Sequence, residues 1–205
     1  MADKLALYNR ALRRLGERRL SSLTEDRKPR HELDDIYADG FIKGLLEKAH
    51  WNFATRTIEQ TYDDDVEPEF GFLRAFTKPS DWVRTSAFCS DEYFQAPINA
   101  YSDEAGFWHC DYDTIYVRYV SNDSDYGSDL GAWPEAFTHW AGVRLARLVA
   151  PSLAGKVSIA DLEKEETRLL VDAKSKDAAN EGAKFTPMGS WARARFGGSR
   201  SNENR

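Results

Sequence analysis

An α+β fold, mainly α, is what this sequence predicts: a four-helix body, an inserted small β module and an extended C-terminal arm. Three observations carry the prediction. Apolar residues recur at helical spacing through the first fifty residues and again from about 133 to 173. Between those blocks lie short runs rich in aromatic and β-branched residues, one of which alternates strictly. The chain closes on a basic segment punctuated by glycine. The expected boundaries are 1–54 and 130–182 for the helical body, 55–129 for the β-rich insertion and 183–205 for the arm.

The first helix is read from Leu5, Tyr8, Leu12 and Leu15, with Asp3 able to cap its start and Gly16 at the natural C′ position. After the loop GERRLSSLTEDRK, Pro29 stands where a first helical turn accepts proline. Leu33, Ile36, Tyr37, Phe41, Leu45 and Ala49 then keep one face apolar. That pattern predicts one long second helix ending near Trp51.

From Thr55 the pattern changes. The acidic cluster Asp63-Asp64-Asp65-Val66-Glu67-Pro68-Glu69 interrupts the chain, and candidate strands follow at 72–76, 81–88 and 114–120. Ile115, Val117 and Tyr119 alternate with Tyr116, Arg118 and Val120, as a strand with one buried face does. Trp133-Pro134-Glu135 begins a third helix with proline at its first position; Phe137, Trp140, Ala141, Leu145 and Leu148 continue it until Ala150-Pro151 is expected to stop it. Ser158, with Asp161 three residues on, opens a fourth helix whose stripe is Ile159, Leu162, Leu169, Leu170 and Ala173.

The stretch AHWNFATR, residues 49–56, places Trp51 and Phe53 where the helical pair gives way to the β module. Trp133 and Trp140 stand where the chain returns to helix. The expectation is that these four aromatics meet and weld the two parts together, a structural role that asks for no ligand.

Chemistry is sparse. His31, His50, His109 and His139 share no metal-ligand spacing with a cysteine beyond the neighbours His109-Cys110, read as ordinary strand residues. Asp123, Asp125 and Asp129 alternate as in a calcium loop, but Gly127 falls one position early and position twelve is Pro134. Glycines 16, 40, 44, 71, 106 and 127 form no phosphate-binding spacing, and no nucleophile motif is present. No metal site, cofactor or catalytic residue is therefore expected. Glu163, Glu165 and Glu166 could be taken for a carboxylate pair facing a sugar bond, yet a solvated helix face laced with Lys164 and Arg168 explains them more simply. Cys89 and Cys110, the only cysteines, are expected to be buried thiols rather than a disulfide.

The opening residues MADKLALYNRALRR are charged throughout and hold no continuous apolar stretch, and no run in the chain reaches the length of a membrane span. The expected location is a cytoplasm, or a particle assembled in one. The net charge of −6 is uneven. Residues 183–205 carry Lys184, Arg193, Arg195, Arg200 and Arg205 against Glu203, a net of +4, which leaves −10 on residues 1–182. An acidic body argues against a protein whose main work is gripping nucleic acid. The basic run Arg10, Arg13, Arg14, Arg18 and Arg19 is read as a solvated face balanced by the acidic loop at 63–69. In the arm, Phe185, Trp191 and Phe196 alternate with Arg193 and Arg195, the composition of a segment that orders on a partner with aromatics and arginines as its anchors.

Two groups of segments then point to a family. ALYNRALRRLGERRLSSLTED with LEKAHWNFATR in the first half, and PSDWVR with WPEAFTHWAGVRLARLVAP and the acidic helix after it in the second, resemble the tail tubular protein A or head-to-tail adaptor (gatekeeper-type) proteins of short-tailed phages. The likeness follows the order of motifs along nearly the whole chain. It implies a homo-oligomeric ring of about twelve subunits at the neck of the virion, built with a heterologous interface. Such a ring, assembled in the host cytoplasm, docks on the portal protein above and the tail nozzle protein below. It extends the channel through which genomic DNA passes without sequence-specific binding, with no cofactor, no membrane and no enzymatic step. Under that likeness the arm residues Phe185, Trp191, Arg193, Arg195 and Phe196 become portal contacts, and the opposed charges of the first helix and the 63–69 loop become the two unlike faces of the ring. The competing readings are a DNA-binding packaging or regulatory protein and, behind it, a cell-wall hydrolase.

Overall fold

The computed structural model describes residues 3–153 and 157–180, so the arm lies outside the described residues. The described chain is α+β and mainly α, in the order helices, strands, helices.

Helix α1, Lys4–Arg14, begins where Asp3 Oδ1 accepts the Ala6 N–H at 2.6 Å. It ends in a Schellman turn: Gly16 takes a φ of 71°, its N–H reaches the Arg13 carbonyl at 3.2 Å, and the Glu17 N–H reaches the Leu12 carbonyl at 2.9 Å. Leu7, Tyr8, Ala11 and Leu12 face the core.

The expected long second helix is broken. Helix α2, Lys28–Ile36, has Pro29 in its first turn; a widened turn, Tyr37–Phe41, follows, and α3 spans only Ile42–Leu46. Gly40 causes the break, because at φ 78° it leaves the helical region without the clash that a Cβ would bring. The apolar spacing survives the break, with Phe41 and Leu45 still buried. Trp51 consequently sits on no helix: it is extended, at φ −89° and ψ 120°, and starts a single 3₁₀ turn over Asn52–Ala54.

Six strands follow: β1 Thr55–Thr61, β2 Arg74–Thr77, β3 Trp82–Cys89, β4 Ser102–Glu104, β5 Phe107–Cys110 and β6 Thr114–Ser121. They form two antiparallel three-stranded sheets, ordered β1-β6-β3 and β2-β5-β4. Three of them match the candidate strands, and His109-Cys110 does lie in a strand. Strand β1 escaped notice because TRTIEQT holds one apolar residue, Ile58, and needs no more at the edge of its sheet. Phe76, Phe88, Ile98, Trp108, Cys110, Ile115, Val117 and Tyr119 make one core from both sheets.

Ile115, Val117 and Tyr119 point into that core as expected, but Val120 is buried as well. It joins Val83, which lies where the β3–β6 register slips, in the helical core. These two valines seat the first sheet on the helices.

The chain returns through α4, Glu135–Leu153, and α5, Ile159–Ala179. Pro134 precedes α4 and its carbonyl accepts the Thr138 N–H at 2.9 Å. Pro151 does not stop α4, contrary to expectation. It falls in the last turn, where a proline forgoes one backbone bond; Ser152 Oγ donates to the Val149 carbonyl at 2.9 Å and Lys28 Nζ to the Ser152 carbonyl at 3.1 Å. Ser158 caps α5 through the Asp161 N–H at 3.3 Å. Leu162 and Ala173 are buried and Leu169 and Leu170 half-buried, whereas Ile159 is 42% exposed and leaves the expected stripe.

Trp51, Phe53, Trp133 and Trp140 are gathered by a fifth ring. Phe137 lies with its centroid 4.7 Å from Trp51, 4.8 Å from Phe53, 4.8 Å from Trp133 and 5.4 Å from Trp140, each in an edge-on arrangement. The rings sit inside the helical core, at the point where β1 leaves it. Phe137→Ala is expected to cost about 3–5 kcal/mol in a urea titration. A loss below about 1 kcal/mol would remove the cluster from its central place.

Candidate interaction surfaces

The side chains with chemical potential are mostly committed to the fold. Glu166 is 9% exposed, and its carboxylate takes Arg144 at 3.0 Å and Arg147 on its other oxygen. Glu165 pairs with Arg14 at 2.7 Å, while Glu163 is exposed. The expected uniformly solvated face is thus corrected: α5 spends two of its three glutamates on α4 and α1. Asp81, in the PSD motif, is a half-buried carboxylate. It accepts Ser121 Oγ at 2.5 Å, Arg56 at 3.0 Å and Tyr119 Oη at 3.1 Å, which ties β1, β3 and β6 together. Burial pushes its carboxyl up, but the bonds from Ser121, Arg56 and Tyr119 outweigh burial and hold it below the usual carboxylate range.

Cys89 and Cys110 are free and buried, and burial pushes both thiols up, the reverse of what a nucleophile needs. His31 faces Asp26 at 2.8 Å and His139 faces Glu135 at 2.9 Å. In the 123–129 loop, Asp123 accepts the Asp125 N–H and Asp129 the Gly131 N–H, each as a turn residue does. Gly127 is packed so closely against Ser121 and Leu46 that a Cβ would meet them at 2.3 and 2.5 Å. Among the described residues no group of three or more His, Cys, Asp or Glu could hold a metal ion.

The AHWN stretch lines a cleft of about 310 Å³ with Ser86, Arg118 and Lys174. There Asp177 of α5 clamps the junction, its carboxylate accepting the Asn52 N–H at 2.9 Å and its carbonyl the Asn52 amide at 2.8 Å. Burial and the neighbouring charge of Arg84 both lower the pKa of His50.

Two charged surfaces stand out among the described residues. The first is a groove of about 800 Å³ lined by Ala6, Asn9, Arg10, Arg13, Arg14, Arg19, Glu135 and His139. Positions 6, 10, 13 and 14 share the outer face of α1, as helical spacing requires. Arg19 joins them because Asn9 clamps the following loop, donating to the Leu20 carbonyl at 3.0 Å and accepting its N–H at 2.7 Å. Arg10 pairs with Glu135 and Arg14 with Glu165, so within the chain the basic run is balanced by α4 and α5 rather than by the 63–69 loop. Arg13 and Arg19 form no ion pair among the described residues.

The second surface is the acidic loop. Asp63 is held by the Thr77 hydroxyl at 2.7 Å and caps the Asp65 N–H. Asp64, Asp65, Glu67 and Glu69 stand in solvent, followed by Phe70, 86% exposed, and Leu73, 74% exposed. Arg74, the nearest cation in sequence, is turned to Asp113 and lies over the Tyr62 ring at 3.9 Å.

Phe185, Trp191, Arg193, Arg195 and Phe196 lie outside the described residues. Among the described residues no helix is long and apolar enough to cross a membrane. No protein-family model matches the chain, and no curated protein matches it.

Asp81→Asn should destabilise the protein by about 2 kcal/mol at neutral pH, since it removes hydrogen bonds to a charged, half-buried acceptor. The folded-state carboxyl sits below its unfolded value, ordinarily 3.8. Its stabilisation is therefore complete above that value and is lost as pH falls through the lower folded-state value. Chemical denaturation of both proteins from neutral pH into the acid range should show their difference shrinking; a constant difference would contradict the ionic account.

Proposed function

We propose that this chain is a structural virion protein, a head-to-tail adaptor that assembles as a ring between portal and tail nozzle and lengthens the DNA channel. The observation that carries this reading is the presence on one chain of two charged surfaces of unlike character, an arginine groove on the helical core and an acidic, aromatic loop on the β module. A ring built from a repeated head-to-tail contact needs two different complementary faces on each copy. The order of sequence motifs supports the same reading, as does the net charge of −10 on residues 1–182, because a wall that repels phosphate does not retard DNA passing along it. In this reading the arm residues Phe185, Trp191, Arg193, Arg195 and Phe196 dock on the portal.

A second reading, a DNA-binding packaging or regulatory protein, draws on the four arginines of the groove. It predicts duplex binding that weakens steeply with salt. The hydrolase reading loses Glu166, whose two carboxylate oxygens are occupied by Arg144 and Arg147.

Electron microscopy and native mass spectrometry of the purified protein, alone and mixed with the portal protein of its own genome, test the proposal. Rings that form with the portal are expected; a chain that stays monomeric and ignores the portal overturns it. Replacing Trp191, Arg193 and Arg195 together by alanine should abolish portal docking and leave the melting temperature unchanged, and a triple variant that still docks would take the arm out of the contact.

A further inference from the structure

We propose that the arginine groove beside α1 is the receptor for the acidic 63–70 loop of a second copy of this chain. This deepens the ring reading above and rests on it. The groove offers guanidinium groups without an ion-pair partner among the described residues, Arg13 and Arg19, beside Arg10, both of whose Nη atoms donate to Glu135, and Arg14, which pairs with Glu165. A guanidinium fork takes a carboxylate through two parallel hydrogen bonds, a geometry that a lone lysine cannot offer.

The loop supplies the complement. Five carboxylates fall within residues 63–69, and Asp64, Asp65, Glu67 and Glu69 make no ion pair among the described residues. The loop is also partly preorganised: the Val66 N–H reaches the Asp63 carbonyl at 3.3 Å, and the Asp63 side chain ties the loop to Asp65 and Thr77. Phe70 projects from its end into water, an apolar anchor of the kind that interface centres use. In the groove, Ala6 and the aliphatic stems of the arginines offer it an apolar floor.

Loop and groove belong to different parts of the fold, so a pair of copies joined by one such contact still presents one loop and one groove, and the ring reading takes the contact to repeat around an axis rather than to close as a reciprocal dimer. Nucleic acid is the lesser fit for the same groove. A polyphosphate offers a continuous line of charge, whereas the loop offers four exposed carboxylates and an apolar ring over a span that matches the groove's four arginines.

The experiment uses the full chain and two charge-reversed variants, Arg13→Glu with Arg19→Glu, and Asp64→Lys with Glu67→Lys. All four positions are exposed, and circular dichroism checks that each variant folds. Assembly is followed by sedimentation velocity over a salt series. Each variant alone should need roughly tenfold more protein to assemble than the wild type, and raised salt should weaken the wild type in the same direction. Mixing the two variants should restore assembly, because each reversed groove then meets a loop of opposite sign. Variants that assemble like the wild type, or a mixture that stays as weak as its components, overturn the contact and leave the ring reading standing. A wild-type chain that assembles neither alone nor with the portal overturns both. Loss of duplex DNA binding in the arginine variant, with assembly unchanged, assigns the groove to nucleic acid and overturns the proposal.

Discussion

Phe137 touches four other aromatic rings, and the two halves of the chain are threaded through those contacts. Trp51 and Phe53 arrive just before β1, while Trp133 arrives just after the β module is complete. Because the incoming and outgoing connections are pinned to one turn of α4, the β module is attached at two points rather than hanging from a single linker. Trp133 extends the clamp by donating from its indole to the Gly127 carbonyl at 2.8 Å. Helix α1 packs on α4 at Gly142, where the Arg10 side chain lies over the glycine: a Cβ there would stand 2.8 Å from Arg10 Cδ. The same approach sets Arg10 against Glu135 and so gives the arginine groove one of its walls.

Charge follows a division of labour. The buried carboxylates Glu166 and Asp177 and the half-buried Asp81 each accept from donors on elements distant in sequence. A buried charge without such partners would cost several kcal/mol, so their positions are fixed by the fold. Among the exposed charges, the loop after β1 gathers acidic groups and the outer face of α1 gathers arginines. The molecule's buried polar groups are spent on holding the sheets and helices in place.

Local chemistry was legible wherever a residue acts on its immediate neighbours. Asp3, Gly16 and Ser158 cap the helices that their positions announce, because a cap satisfies backbone groups three or four residues away and needs nothing else. The alternation of Ile115, Val117 and Tyr119 showed a strand for the same reason. The aromatic group at AHWNFATR was visible as a cluster in waiting, though not its hub. Phe137 reads as one more apolar residue on a helix, and only the fold shows that all four other rings converge on it. The break at Gly40 was hidden because the apolar spacing carries on across it. The run of α4 through Pro151 was hidden because a proline in a last turn costs little once side chains serve the nearby carbonyls. The groove was half legible: Arg10, Arg13 and Arg14 share a face by helical spacing, while Arg19 reaches it only through the clamp that Asn9 places on Leu20.

By itself, then, the amino-acid order determined the class of fold, most of the element starts, the burial of both cysteines and the separation of a strongly acidic loop from a run of arginines. These depend on periodicity, capping and composition, which are properties of neighbours along the chain. The tertiary structure decided which carboxylates are buried, which arginines are left without an ion-pair partner among the described residues, and that one phenylalanine gathers four rings where the β module joins the helical core. Those outcomes depend on which distant segments meet, and nothing within a few residues of Phe137, Asp81 or Glu166 encodes their partners.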